Sequence, residues 1–160
     1  MFHKSRSVFF LPALLASYTP VLAAARLSFP DAGKFILSSS FGPQLLKQCS
    51  RSAPEGAKDF WQPTAAEISE LERLLILNLD ARVKRGAGVP PNGNYHRQYV
   101  GFTKGRVRFI YGNFYPGDLP YNSNEQAEPL ITCDGGPVFW GVVFRVDSKQ
   151  FEEPSFNGSI

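Results

Sequence analysis

Nucleophilic catalysis in a chain of this kind would need a thiol, an imidazole and a carboxylate held together. Cys49 and Cys133 are the only cysteines, and His3 and His96 the only histidines. Cys133, His96 and Asp134 would supply nucleophile, base and orienter. Their surroundings carry none of the local patterns that mark cysteine peptidases. Zinc asks for three or four ligands, and with His3 in a segment expected to be cleaved, one histidine and two distant cysteines fall short. Glu152 and Glu153 adjoin on an expected strand, so they point to opposite faces and are no acid/base pair. Phosphate loops, dinucleotide fingerprints and G-x-S-x-G are absent from the sequence. The chemistry therefore points away from an enzyme, and to no cofactor and no metal.

Two other groups of residues suggest recognition. Asp134-Gly135-Gly136 would make a backbone nest for an anion or, more simply, a tight turn. Tyr95, Arg97, Tyr99, Tyr111 and Tyr115 fall on odd-numbered strand positions together with Phe109. Tyrosine and arginine are enriched at binding interfaces, so these residues form a candidate binding face. The same pattern also arises when a sheet face packs against a helix. Asn157-Gly158-Ser159 matches a glycosylation sequon, which matters only in a eukaryotic host.

The start of the chain is similar to a secretory signal peptide. His3, Lys4 and Arg6 precede an apolar core at residues 8–16, Pro20 breaks it, and residues 21–25 supply small residues for cleavage after Ala23 or Ala25. That core is too short for a membrane span, so we expect no integral span after cleavage and a secreted or periplasmic protein. In an oxidising compartment the two cysteines imply a Cys49–Cys133 disulfide. Taking Lys4 and Arg6 from the seventeen basic residues leaves fifteen against fourteen acidic ones. So slight a surplus gives little electrostatic motive for binding nucleic acid.

Elements to position these residues are legible in order. Residues 1–25 form the signal peptide, 26–62 an N-terminal leader with a short helical turn at 41–49, and 63–160 a domain of one helix and a sheet. Within the leader, residues 35–40 read as a strand or extended arm and 51–59 as a loop. Thr64-Ala65-Ala66-Glu67 is a capping box, and Ile68, Leu71, Leu75 and Leu79 form the apolar stripe of a helix over residues 65–84. Residues 95–103 and 106–115 predict a hairpin around Lys104-Gly105, and 116–128 a long polar loop. Strands at 130–133 and 138–146 flank a turn at 134–137, and 151–156 reads as an edge strand interrupted by Pro154. Residues 138–146 are apolar on both faces, as in an inner strand. Arg97, Arg106, Arg108 and Arg145 alternate with apolar positions, which suggests one partly wet face. The fold expected is α+β, one long helix packed on a four- to five-stranded antiparallel sheet, cystatin-like by analogy of element order.

The segments RQYVGF (97–102), IYGNFYP (110–116), CDGGPVFWGV (133–142) and FNG (156–158) resemble a group of small exported bacterial proteins. No activity attaches to that group, so the resemblance implies a periplasmic or secreted setting and transfers no catalytic residue. QYVGF is also similar to the glutamine-and-glycine loop of cystatins, although here it reads as strand. The function expected is an exported non-enzymatic binding protein, an inhibitor or immunity-type partner of another protein. The alternative is a small-ligand-binding or hydrolytic protein that uses a sheet face.

Overall fold

A computed structural model describes residues 27, 29–52, 54–84, 88–119 and 128–158, the side chains of residues 83 and 84 excepted. The expected signal peptide, most of the loop at 116–128 and Ser159 of the sequon lie outside these residues. Two long strands, β3 (Tyr95–Lys104) and β4 (Val107–Pro116), pair over their whole length, from Tyr95↔Pro116 to Lys104↔Val107. Gly105 takes the positive φ (62°) that closes the turn between them. β5 (Trp140–Arg145) adds antiparallel to β4. Short strands then occupy both margins. β1 (Lys34–Ile36) and β2 (Lys58–Trp61) lie end to end along β3, while β6 (Gln150–Phe151) and β7 (Ser155–Phe156) do the same along β5.

The architecture is α+β, but the sheet has seven strands and is mixed, because β1 runs parallel to β3. The purely antiparallel sheet expected from hairpin signals is corrected there. The helical part is corrected too. The long helix α2 (Ala65–Lys84) is joined by a short α1 (Gly42–Leu46) and by 3₁₀ turns, so it is not alone. Residues 130–133 form no strand, and 134–137 make no hairpin. Gly135 and Gly136 have φ of 92° and 65°, and the chain enters a 3₁₀ turn at Gly136–Val138 instead.

The capping box forms at the start of α2. Thr64 Oγ1 accepts from the Glu67 amide at 3.2 Å, and the Thr64 amide donates to Glu67 Oε2 at 2.9 Å. One face of the sheet packs on α2. Ile68, Leu71, Leu75 and Leu79 bury themselves against Tyr95, Tyr99, Ile110, Phe114, Trp140, Val142 and Phe144. Phe114 and Trp140 stack with centroids 3.9 Å apart at the centre. The other face carries a second core of Val100, Phe102, Phe109, Tyr111 and Val143 under Leu37, Leu45 and Leu46 from the leader. β5 is thus covered on both sides, as its apolar run requires. Gly101 lets the Trp61 ring lie on the sheet, since a Cβ there would sit 2.2 Å from it.

Candidate functional site

The register of the hairpin decides where the five candidate binding residues go. Odd positions of β3 pair with even positions of β4, as in Tyr99↔Gly112. Tyr95, Arg97 and Tyr99 therefore face α2, while Tyr111 and Tyr115 face the opposite way. All five are buried, with at most 2% of each exposed. The proposed aromatic-and-arginine binding face is corrected on both counts, since the residues are split and covered. The reading in which such a face packs on the helix holds for Tyr95, Arg97 and Tyr99.

Arg97 lies within the layer between helix and sheet. Its Nε donates to Glu72 Oε1 at 2.7 Å, and its Nη groups donate to the carbonyls of Pro30 and Phe29. Tyr99 Oη donates to the same Glu72 oxygen at 3.0 Å, and Lys34 Nζ stands 3.4 Å from the other. The expectation of a wet face around Arg97 is overturned, because the residue is fully buried.

Burial pushes the Tyr95 phenol up to about 12, and burial likewise raises Tyr99 and Tyr111. The folded chain thus holds protons that the unfolded chain releases near pH 10. Unfolding free energy falls as pH climbs through that window and does not depend on these groups below it. Absorbance at 295 nm during alkaline titration is expected to show these three phenols ionising together with unfolding. Their smooth titration near pH 10 in a protein that stays folded would contradict this.

On the other face a polar cluster was invisible in the sequence. Arg51 is buried and donates through Nε to Tyr111 Oη at 3.1 Å, through Nη1 to Asn157 Oδ1 at 2.8 Å, and through Nη2 to Asn113 Oδ1. Asn113 Nδ2 donates to the Leu130 carbonyl at 3.0 Å, and the Leu130 amide donates to Gln98 Oε1 at 2.8 Å. Asn157 Nδ2 donates to the carbonyls of Thr132 and Asp134, each at 2.8 Å. These bonds satisfy the irregular backbone of 130–134, which no ladder serves. The four segments that carried the resemblance converge here, each through a polar residue or the disulfide. Asn157 is 5% exposed with its amide nitrogen bonded twice, so the sequon asparagine is a structural group in the folded chain.

Cys49 and Cys133 are joined as a disulfide across 84 positions, and the described residues hold no free cysteine. A thiolate nucleophile at Cys133 is thereby lost. The nest reading of Asp134-Gly135-Gly136 also weakens, because the Gly136 amide donates to the Gly158 carbonyl at 3.1 Å. Glu152 stands 3.7 Å from Lys104, and Glu153 pairs with Arg82. Among the described residues, no three His, Cys, Asp or Glu are grouped to hold a metal ion. None of the described helices is long and apolar enough to cross a membrane.

His96 lies instead at an open cleft of about 510 Å³, formed where the paired ends of β3 and β4 meet the loops around them. The imidazole is clamped in place. A Cβ on Gly33 would sit 2.3 Å from its ring and one on Gly117 2.8 Å, while Phe35 and Tyr115 meet it edge-on. The two lips of the cleft are tied together. The Gly117 amide donates to the Asn94 carbonyl at 3.0 Å from lip to lip, and within one lip Tyr95 Oη donates to the Pro91 carbonyl at 2.7 Å. Asn92, Asn94 and Asp118 stand exposed along these lips, with Pro30 and Val138 also lining the cleft. Sequence reasoning singled out His96 but had no signal for the cleft, which depends on Gly33 and Gly117 meeting one ring from 84 positions apart.

Comparison with protein families, with curated proteins and with solved structures found no match. The functional reading rests on the geometry.

Proposed function

We propose that the chain is an exported, non-enzymatic binding protein whose recognition site is the cleft around His96. The observation that carries this reading is a preformed concavity whose lips are fixed by hydrogen bonds before anything binds. Such preorganisation lowers the ordering cost of association. The disulfide removes the one nucleophile that the sequence offered. It is also compatible with an oxidising compartment, as is the signal-like pattern at residues 1–25. A protein partner, in an inhibitor or immunity-type complex, would insert a projecting element between the lips.

The test is capture of a partner from envelope extracts by wild type and by Asn94→Trp, which fills the cleft from an exposed lip. Capture by wild type, lost in Asn94→Trp and retained in Leu77→Ala on the distant outer face of α2, is the expected result. Equal capture by Asn94→Trp would remove the cleft from the account. The volume also favours a second reading, because about 510 Å³ falls within the range of small-molecule sites. In that case a low-molecular-weight fraction of the extract, and no protein, would protect the folded chain from heat.

A further inference from the structure

Among the described residues that line the cleft, the permanent charge is negative, beside the imidazole of His96. Among these residues Asp118 is the carboxylate, and neither lysine nor arginine is present. Asp118 is exposed and forms no ion pair among the described residues. Two cations on the adjoining strands, Lys34 and Arg97, are engaged elsewhere. Lys34 holds Asp31 at 2.9 Å and stands 3.4 Å from Glu72, and Arg97 is bonded to Glu72 within the core. The exposed carboxamides of Asn92 and Asn94 make no hydrogen bond among the described residues, and each adds a carbonyl acceptor beside the carboxylate. Pro30, Pro116, Leu119 and Val138 supply apolar wall. An acceptor-rich rim above an apolar wall matches a group with an aliphatic stem and a cationic, multiply donating head.

Resting on the cleft as the recognition site, we propose that it seats a guanidinium or ammonium group, with Asp118 as the countercharge. Asn92 and Asn94 take up the remaining donors, and the stem lies along the apolar wall. Arginine fits best, since its planar fork offers five donors to acceptors spread along two lips.

The probe is agmatine, with butylurea as an uncharged control of similar shape, followed by amide chemical shifts of Gly93, Asn94, Gly117 and Asp118. Agmatine is expected to perturb these amides saturably and butylurea is not. Asp118→Asn should weaken agmatine by roughly tenfold, the scale of one charge-assisted contact. A blocked arginine peptide that binds more tightly than agmatine assigns the cation to a macromolecular partner, and the reverse order assigns it to a free amine. Either order supports the cation. Equal response to butylurea, or agmatine binding unchanged in Asp118→Asn, would overturn it. Circular dichroism of Asp118→Asn guards against misfolding, which an exposed isosteric change should not cause. The cation and the cleft fail separately. Capture lost in Asn94→Trp but unchanged in Asp118→Lys removes the cation and keeps the cleft. Capture retained in Asn94→Trp removes the cleft itself.

Discussion

Arg97→Met is expected to lower the unfolding free energy by about 3–5 kcal/mol, the range for removing one partner of a buried ion pair. Methionine keeps much of the volume but not the donors. Glu72, whose side chain is 12% exposed, would keep only Tyr99 and Lys34, the Phe29 carbonyl would lose the guanidinium, and the Pro30 carbonyl would keep only the Gly33 amide. The leader would then be held to α2 by Lys34 and by apolar contact. Adding Glu72→Met is expected to recover part of the loss, because a buried pair replaced by apolar residues is often close to neutral. Urea unfolding of the single and double variants measures both effects. A single variant within about 1 kcal/mol of wild type, the scale of an exposed pair, would show that the guanidinium contributes little.

Cys49→Ala with Cys133→Ala is expected to have the other large effect. Opening a loop of 84 positions costs about 4–5 kcal/mol in the chain-entropy model. The loss has a local signature as well as a global one. Segment 130–134 makes no strand and rests on Asn113, Gln98 and Asn157 beside the sulfur bridge. Hydrogen exchange at the Leu130 amide, which donates to Gln98, should rise more than exchange at the β3–β4 ladder. Equal loss of protection everywhere would mean that the bridge acts only through the unfolded chain. Unchanged stability would mean that the polar cluster alone holds the segment.

These two changes also show how much of the molecule was legible in the sequence. α2 was plain, because its stripe and capping box are local signals within twenty residues. The hairpin and the disulfide were likewise open to local pattern and to counting. The partition of aromatic residues between the two sheet faces was not. Parity along one strand is local, but parity between strands depends on register, and the pairing of Tyr99 with Gly112 reversed the face expected for Tyr111 and Tyr115. β2 was hidden because Lys58-Asp59 reads as loop and Asp59 takes a positive φ of 42°. The Arg51 cluster had no sequence signal, since it joins positions up to 106 apart and uses neutral acceptors. A guanidinium whose buried partners are distant neutral side chains looks, in sequence, like any surface arginine.

The central claim is that partners meet this chain at the cleft around His96. A photo-crosslinking residue placed at Asn94, and in a separate protein at Leu77, tests it most directly in envelope extracts. The account predicts a discrete crosslinked product from Asn94 and none from Leu77. Crosslinking from Leu77 alone would move recognition to the outer face of α2 and contradict the account.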